Sequence, residues 1–180
     1  MPEAHIYAGT CKWFALFTES GSERKATIWL KQRNHYPYWP RYMGQVKLRR
    51  QRRGFRWRSV IPGYLFLAIP EPFIADWEAI EETPGVRGVM RKANWDLVEF
   101  KPKDIEDINR IEKALNESPI AANEGIPLRV SQRVRIRSGI FKGHETTVVA
   151  IEKKRKITVE VPMFGTKARI VLPASELEAV

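Results

Sequence analysis

The spacing of hydrophobic and polar positions changes character about two thirds of the way along the chain. Before that point, short apolar runs predict four strands, at residues 12–17, 42–48, 55–69 and 86–90. Apolar residues at helical spacing predict three helices: one over residues 21–33, one that carries Phe73, Trp77 and Ile80, and one over residues 102–117. The order strand, helix, strand, strand, helix, strand, with a trailing helix, is that of a ferredoxin-like α/β sandwich.

Local signals mark the ends of several of these elements. Ser20 and Glu23 have the spacing of a capping box, in which each side chain satisfies a free backbone donor at a helix start. Pro102 suits the first position of the last helix, where its missing N–H has no partner to lose. The basic segment 49–54 is predicted to be the tip of a hairpin.

The period changes to two after residue 127. Val134 and Ile136 alternate with arginines, and β-branched runs predict further strands at residues 146–151, 157–161 and 168–172. Several short strands in so small a segment predict a small all-β barrel. Two prolines and no periodicity between the parts predict a linker. The expected α+β chain therefore has a first domain, a linker and a second domain, at residues 1–117, 118–127 and 128–180.

The charged residues form three blocks. Residues 1–58 carry 13 basic and 3 acidic groups, residues 59–127 carry 7 and 13, and residues 128–180 carry 11 and 5. Residues 41–58 contain eight basic side chains and no acidic one, with Tyr42, Phe55 and Trp57 among them. Arginine pairs with phosphate and aromatic rings stack on bases, so this segment predicts contact with single-stranded or distorted nucleic acid. The alternative is a solvated hairpin whose charge only keeps the protein soluble. The second cluster, Lys153–Lys156, is predicted to be a solvated turn.

Catalytic patterns are not found. His5, His35 and His144 are scattered, without metal-ligand spacing, and Cys11 is best interpreted as a small core residue. The segment Gly139–Gly143 lacks the Gly-Lys-Ser/Thr ending of a phosphate-binding loop. We therefore expect no enzyme, no metal and no cofactor. A single cysteine and the absence of a long apolar run fit a protein of a reducing cytosol.

Two sets of motifs, taken together, carry a resemblance to a known family. The first set is Trp13-Phe14, Glu23, Pro40, Pro62-Gly63-Tyr64 and Pro84-Gly85-Val86. The second is a KOW motif from Arg133 to about Val159, followed by Phe164-Gly165. In this order, with a helix and a linker between them, they make the chain resemble the NusG family of transcription elongation factors.

The resemblance implies a ferredoxin-like domain that binds the clamp helices of the largest RNA polymerase subunit, and an SH3-like KOW barrel that recruits Rho or a small-subunit ribosomal protein. From the residues alone, the apolar side chains near Pro62 are most simply core. The resemblance instead implies polymerase contact through Trp13, Phe14, Phe17, Ile61, Pro62, Gly63 and Tyr64. It directs the hairpin toward non-template DNA or nascent RNA through Arg49, Arg50, Arg52, Arg53, Arg56 and Arg58. The KOW partner surface would comprise Phe141, Lys142, Phe164 and Gly165.

Several positions depart from the family pattern. Val60-Ile61 replaces an aromatic junction, Thr146 replaces the KOW glycine, and His144 and Thr166 replace residues of the partner surface. With the arginine-dense hairpin, these departures suggest a specialised antitermination paralogue of the RfaH kind, acting in the bacterial cytoplasm and nucleoid to modulate pausing and termination. The alternative is a KOW-containing RNA-binding or ribosome-associated protein without polymerase contact.

Overall fold

The computed structural model describes residues 11–47, 53–117, 128–152, 156–163 and 166–180. The chain groups into two compact units, residues 1–40 with 62–105 and residues 41–61 with 106–180. In chain order the elements are β1 (Cys11–Thr18), α1 (Glu23–Gln32), β2 (Tyr36–Tyr38), β3 (Arg41–Lys47), β4 (Arg53–Ser59), β5 (Tyr64–Pro70), α2 (Trp77–Glu81), β6 (Val86–Val89), β7 (Glu99–Phe100), α3 (Pro102–Glu117), β8 (Arg133–Ile136), β9 (Glu145–Glu152), β10 (Lys156–Met163), β11 (Thr166–Pro173) and β12 (Leu177–Ala179).

The first unit is built on an antiparallel sheet with strand order β2-β5-β1-β6, and β7 also pairs with β1. Strands β1 and β5 pair along their whole length, so that Phe14 faces Leu67 and Phe17 faces Tyr64. This is the predicted ferredoxin-like order, and the predicted fold class is confirmed. Its second strand, however, is Tyr36–Tyr38 and not residues 42–48; Pro37 within it argues against a strand at the level of sequence.

The two faces of this sheet bury different side chains. Phe14 and Leu16 of β1 pack with Ala26 and Leu30 of α1 in one cluster, together with Leu65, Leu67, Ile69, Ile80, Val86 and Val89. The opposite face carries a chain of aromatic contacts, with ring centroids 6.4 Å apart for Trp13–Tyr38, 6.3 Å for Tyr38–Phe66 and 5.4 Å for Phe66–Phe100. Alternation along the strands produces this separation, because neighbouring side chains point to opposite faces.

Strands β3 and β4 form a separate two-stranded sheet with Lys47 opposite Arg53. The prediction of one continuous strand over residues 55–69 is therefore wrong. A turn at residues 60–63 divides it into β4 and β5, and Gly63 takes φ +86° there, a backbone conformation that favours glycine. The predicted hairpin is present, but most of its tip lies outside the described residues.

The three predicted helices are present, with differences at their starts and in the exposure of one α1 side chain. Helix α3 buries Ile105, Ile108, Ile111 and Leu115, as its periodicity predicts. Helix α2 is short, and Asp76 caps it by accepting a hydrogen bond from the Ala79 N–H at 3.0 Å. Phe73 lies before this helix at φ +63°, so its predicted helical position is wrong. In α1, Trp29 is 43% exposed, although its spacing predicts a buried position.

The predicted capping box at the start of α1 is also wrong. Ser22 is the residue that precedes the helix, and it makes no side-chain hydrogen bond to the helix backbone. The carboxylate of Glu23 accepts a hydrogen bond from the Gly63 N–H at 2.8 Å instead. Glu23, which its spacing from Ser20 predicts to bind locally, therefore has its hydrogen-bond partner in a distant part of the sequence.

The second unit contains a five-stranded all-β sheet with the order β11-β10-β9-β8-β12, here called the C-terminal barrel. Strands β8 to β11 match the predicted period-two segments, whereas β12 was not predicted. Val134, Val148, Val159, Val161 and Ile170 are buried in it. Thr146 lies within β9, and Gly143 takes the left-handed conformation of the preceding turn at φ +83°. The predicted linker, residues 118–127, lies outside the described residues.

Candidate partner-binding and nucleic-acid sites

Two Pro-Gly turns converge on the end of strand β1. The carbonyl of Gly63 accepts a hydrogen bond from the Thr18 N–H at 2.9 Å, and that of Gly85 accepts one from the Glu19 N–H at 3.0 Å. These two hydrogen bonds hold the turns at Gly63 and Gly85, which are far apart in the chain, against the consecutive residues Thr18 and Glu19. Glu23 completes the arrangement, because its buried carboxylate binds the N–H of Gly63 while Thr18 binds the carbonyl.

A groove of about 400 Å³ opens at this point, lined by Phe17, Thr18, Gly63, Tyr64 and Arg87. The rings of Phe17 and Tyr64 lie 5.3 Å apart, and Arg87 is exposed. The hydroxyl oxygen of Thr18 is buried without a hydrogen-bond partner among the described residues. Aromatic side chains beside a single cation suit a protein surface that offers apolar and acidic side chains.

The residues predicted to bind polymerase do not form one surface. Phe17, Gly63 and Tyr64 line the groove, and Pro62 is exposed next to Gly63. Phe14 lies in the helix-covered core, 4.9 Å from the ring of Trp77.

Two further predicted residues are also buried. Trp13 is 6% exposed within the aromatic chain, on the same sheet face as Phe17 but outside the lining of the groove, and Ile61 is 2% exposed. Sequence reasoning missed Thr18 and Arg87. The signal for Arg87 is its position directly after Pro84-Gly85-Val86.

The hairpin has two unlike faces because side chains alternate along β3 and β4. On one face Met43 lies opposite Trp57. Phe55 precedes Trp57 by two residues on β4 and therefore lies on the same face. Their exposed fractions are 39% for Met43, 47% for Trp57 and 61% for Phe55. The guanidinium of Arg41 lies 4.7 Å from the centroid of Trp57.

The other face of the hairpin is held by the C-terminal barrel within the second unit. Tyr42 is completely buried and donates its hydroxyl hydrogen to Glu152 at 3.2 Å, and Arg58 donates to the same carboxylate at 2.8 Å. Burial, reinforced by the negative charge of Glu152, raises the pKa of Tyr42 above its usual range. Lys156 lies 4.0 Å from the centroid of the Tyr42 ring and donates to the Met43 carbonyl at 3.3 Å. Lys156 is therefore buried, and its predicted place in a solvated turn is wrong.

Gly44 makes room for this network. A methyl group at Gly44 would lie 2.4 Å from Cδ of Arg58, so the arginine side chain crosses the strand where no side chain stands. Of the arginines predicted to bind nucleic acid, Arg58 is thus engaged with Glu152, while Arg56 is exposed. Arg49, Arg50 and Arg52 lie outside the described residues, and only the backbone of Arg53 is described.

The predicted KOW partner residues are partly buried. The ring of Phe141 is 6% exposed and packs 6.4 Å from that of His144, whereas Lys142 is exposed. Of the two predicted partner residues that the structure describes, only Lys142 is therefore accessible. Phe164 and Gly165 lie outside the described residues.

Among the residues that the structure describes, no three histidine, cysteine, aspartate or glutamate side chains are grouped as a metal site would require. Within the same residues, no helix combines the length and apolar character needed to span a membrane.

The family model described as "Transcription termination factor nusG" matches residues 11–112, which is more than half of the chain. The chain belongs to the NusG family. Proteins described as "Transcription termination/antitermination protein NusG", from Staphylococcus aureus strains Mu50 and N315, are each 28% identical to it over 185 residues, covering 94% of this chain and 96% of theirs. The members of this family are transcription factors and not enzymes.

A solved structure of a NusG protein shows a similar fold. In a structure titled "Domain interaction in Thermotoga maritima NusG", that chain is 20% identical to this one and has a TM-score of 0.50. The similarity covers 94% of this chain and 97% of the other. The family match at residues 11–112 includes both the groove and the hairpin of this NusG-family chain.

Proposed function

We propose that this chain binds RNA polymerase through the groove at the end of β1 and thereby modulates transcriptional pausing and termination. The observation that carries the proposal is that both Pro-Gly turns are hydrogen-bonded to consecutive residues at the end of β1, Thr18 and Glu19, while Glu23 binds the Gly63 N–H. This arrangement fixes Phe17, Tyr64 and Arg87 around one groove. The relatives named for termination and antitermination support the same function.

The proposed partner element is the pair of clamp helices of the largest polymerase subunit. A helix presents rows of side chains that fit a groove, and apolar anchors in such a contact contribute most of the binding free energy. Phe17, which is half-buried, would supply the apolar contact with the buried Tyr64 packed behind it, while Arg87 would attract acidic residues. Phe14 and Trp13, which are buried, have no direct role in this proposal.

The hairpin is the proposed nucleic-acid contact of the bound factor. Its eight basic residues and lack of acidic ones favour contact with the non-template DNA strand of the bubble or with nascent RNA. The mechanism is mechanical: a factor bound to the clamp stabilises the closed polymerase, and the hairpin restrains the upstream bubble, so pausing falls. Recruitment of Rho or a small-subunit ribosomal protein by the KOW part stays a prediction of the resemblance, and the buried Phe141 would have no direct role in it.

Polymerase affinity of the full chain tests the proposal. The variant Arg87→Glu changes an exposed side chain of the groove and should raise the Kd for purified core RNA polymerase at least about tenfold, ~1.4 kcal/mol. The matched control Arg24→Glu makes the same charge change at an exposed position of α1, outside the groove lining. Moderate salt is required because a protein of formal charge +10 binds polyanions non-specifically.

Equal affinities for wild type and both variants would contradict the proposed groove contact. Absence of polymerase binding by the wild type, combined with tight binding to RNA, would favour the alternative of an RNA-binding KOW protein.

A further inference from the structure

Residues 90–98, here called the Trp95 loop, leave the edge of the first sheet between β6 and β7. The Met90 N–H donates to the Ala15 carbonyl at 2.8 Å where the loop begins, and β7 pairs with β1 again at Phe14. The residues between these two points therefore form an excursion from the sheet edge. Its tip bears Trp95, which is 78% exposed, more than any other aromatic side chain of the described residues.

The backbone of Trp95 is as unusual as its exposure. Its φ of +68° lies in the left-handed region, which glycine and asparagine adopt readily and bulky side chains avoid. A single exposed hydrophobic residue is common, but one that is also held in an unfavourable backbone conformation is not. An exposed ring adds little to the core, so the strain at Trp95 points to a role outside folding.

Hydrogen bonds hold the turn of the loop in one conformation. The Lys92 N–H donates to the Asp96 carbonyl at 2.7 Å, and the Trp95 N–H donates to the Lys92 carbonyl at 3.0 Å. Arg91 donates to the Trp95 carbonyl at 3.3 Å and to the carboxylate of Glu81 in α2 at 3.2 Å. The indole is therefore presented on an ordered backbone, which lowers the entropy lost when a partner binds it.

The charges around the tip favour a protein partner over nucleic acid. Residues 92–96 carry one cation, Lys92, and one anion, Asp96, and Arg91 forms an ion pair with Glu81. A phosphate backbone would gain no net attraction from this arrangement, and the carboxylate of Asp96 directly follows the ring. Tryptophan is among the residues most enriched at the centres of protein interfaces, where its ring fills an apolar pocket and its N–H finds an acceptor.

The Trp95 loop and the groove share one edge of the sheet. Arg87 of β6 and Thr18 of β1 line the groove, and the loop leaves β6 opposite Ala15, three residues along β1. Three residues of a strand span about 10 Å, and the arm of the loop adds up to about 10 Å more. A helix is about 10–12 Å across, so a partner helix seated in the groove leaves Trp95 to contact the surface beside that helix.

We propose that Trp95 is a second anchor on RNA polymerase, whose indole enters an apolar cleft beside the clamp helices, with an acceptor there for the indole N–H. The inference deepens the proposed function and rests on it, because the partner is the one that the groove binds. It assigns to the Trp95 loop a part of the affinity that Phe17 and Arg87 do not supply. The loop and the groove touch separate parts of the polymerase, so their contributions to binding are independent.

The test measures the affinity of the full chain for purified core RNA polymerase without nucleic acid, so that the basic hairpin has no phosphate to bind. Trp95→Ala should raise the Kd at least about tenfold. The matched control Trp29→Ala removes a tryptophan of α1 that is 43% exposed, and should change the Kd less than about twofold. The double variant Trp95→Ala/Arg87→Glu should raise the Kd by the product of the two single changes.

Two further variants separate the ring from the fold. Trp95→Asn removes the ring and suits the left-handed backbone, so the urea midpoint should stay the same or rise while the Kd rises at least about tenfold. Trp95→Phe keeps an aromatic ring in the same backbone and should raise the Kd less than about threefold. If Trp95 acted only on folding, the affinity would instead follow the stability of each variant.

An unchanged Kd in Trp95→Ala and Trp95→Asn, with a raised Kd in Arg87→Glu, would overturn the inference and leave the groove proposal intact. A raised Kd in both Trp95 variants, with none in Arg87→Glu, would support the loop contact and contradict the groove. Loss of self-association in Trp95→Ala with unchanged polymerase affinity, measured by sedimentation, would overturn the inference by making the partner a second copy. Weaker binding of Trp95→Ala to an oligothymidine alone would overturn it in favour of nucleic acid.

Discussion

At the scale of single residues, Glu23 links helix α1 to the turn of the groove. Its side chain is 6% exposed, and its partner, the Gly63 N–H, lies 40 residues away in sequence. A buried backbone donor that loses its acceptor destabilises a protein by about 1–3 kcal/mol. Glu23 therefore stabilises the fold and also fixes the backbone between Pro62 and Tyr64.

We predict that Glu23→Ala lowers the free energy of unfolding by about 1–3 kcal/mol, whereas Glu23→Gln, which keeps an acceptor oxygen, loses less than half of that. Urea denaturation measures both. The exposed Glu19 is a suitable control, and Glu19→Ala should change stability by less than about 0.5 kcal/mol. Equal stability of Glu23→Ala and wild type would show that the Gly63 hydrogen bond is unimportant.

His35 gives a second residue-scale prediction. Burial, with a further contribution from the charge of Arg33, lowers the pKa of His35 below its usual value of 6.5. The unfolded chain therefore binds a proton at His35 before the folded chain does, so stability falls as the pH drops below about 6.5. The variant His35→Gln should show a smaller fall in the urea midpoint between pH 7 and pH 5. An identical pH dependence in both proteins would contradict this origin.

At the scale of elements, sequence patterns identified most strands and helices but not how they are divided. Residues 53–70 contain two strands of different sheets, β4 and β5, and Pro62-Gly63 lies in the turn between them. Periodicity reports which residues are apolar and not where the chain turns; the sheet pairing and the φ of Gly63 show the division. The barrel strands were easier to predict, since arginines alternate strictly with Val134 and Ile136.

The hairpin and barrel should behave as a coupled pair through Gly44, Arg58 and Glu152. Gly44→Ala places a methyl group where Arg58 lies and should displace the arginine from Glu152. If so, Glu152→Gln should destabilise wild type more than it destabilises Gly44→Ala, with a coupling free energy of at least about 0.5 kcal/mol. Thermal or urea unfolding of the four proteins measures this cycle.

Glu160 offers a control for the same cycle, since it forms ion pairs with Lys167 and Arg169. The changes in the free energy of unfolding caused by Gly44→Ala and by Glu160→Gln should be additive. If the free-energy changes of Gly44→Ala and Glu152→Gln were also additive, Arg58 would not need the space above Gly44 to bind Glu152.

At the scale of the whole molecule, the sequence supports the family and fold class better than it supports the site. The motifs that fall within the described residues lie in turns and strands, and their order predicts the fold. The predicted polymerase surface, however, treated Trp13 and Phe14 as neighbours on one face, whereas the pleat of β1 sends them to opposite faces. Arg87 lines the groove because the Gly85 carbonyl accepts a hydrogen bond from the Glu19 N–H. No local sequence pattern predicts this contact.

The measurement that tests the central claim most directly is photo-cross-linking to purified core RNA polymerase. A benzophenone amino acid replaces Arg87 in one protein and Arg24 in another, and the cross-linked peptides are identified by mass spectrometry. We predict cross-links from position 87 to the clamp helices of the largest subunit, and none there from position 24. Equal cross-linking from both positions, or cross-links from position 87 only to other polymerase regions, would contradict the proposed binding mode.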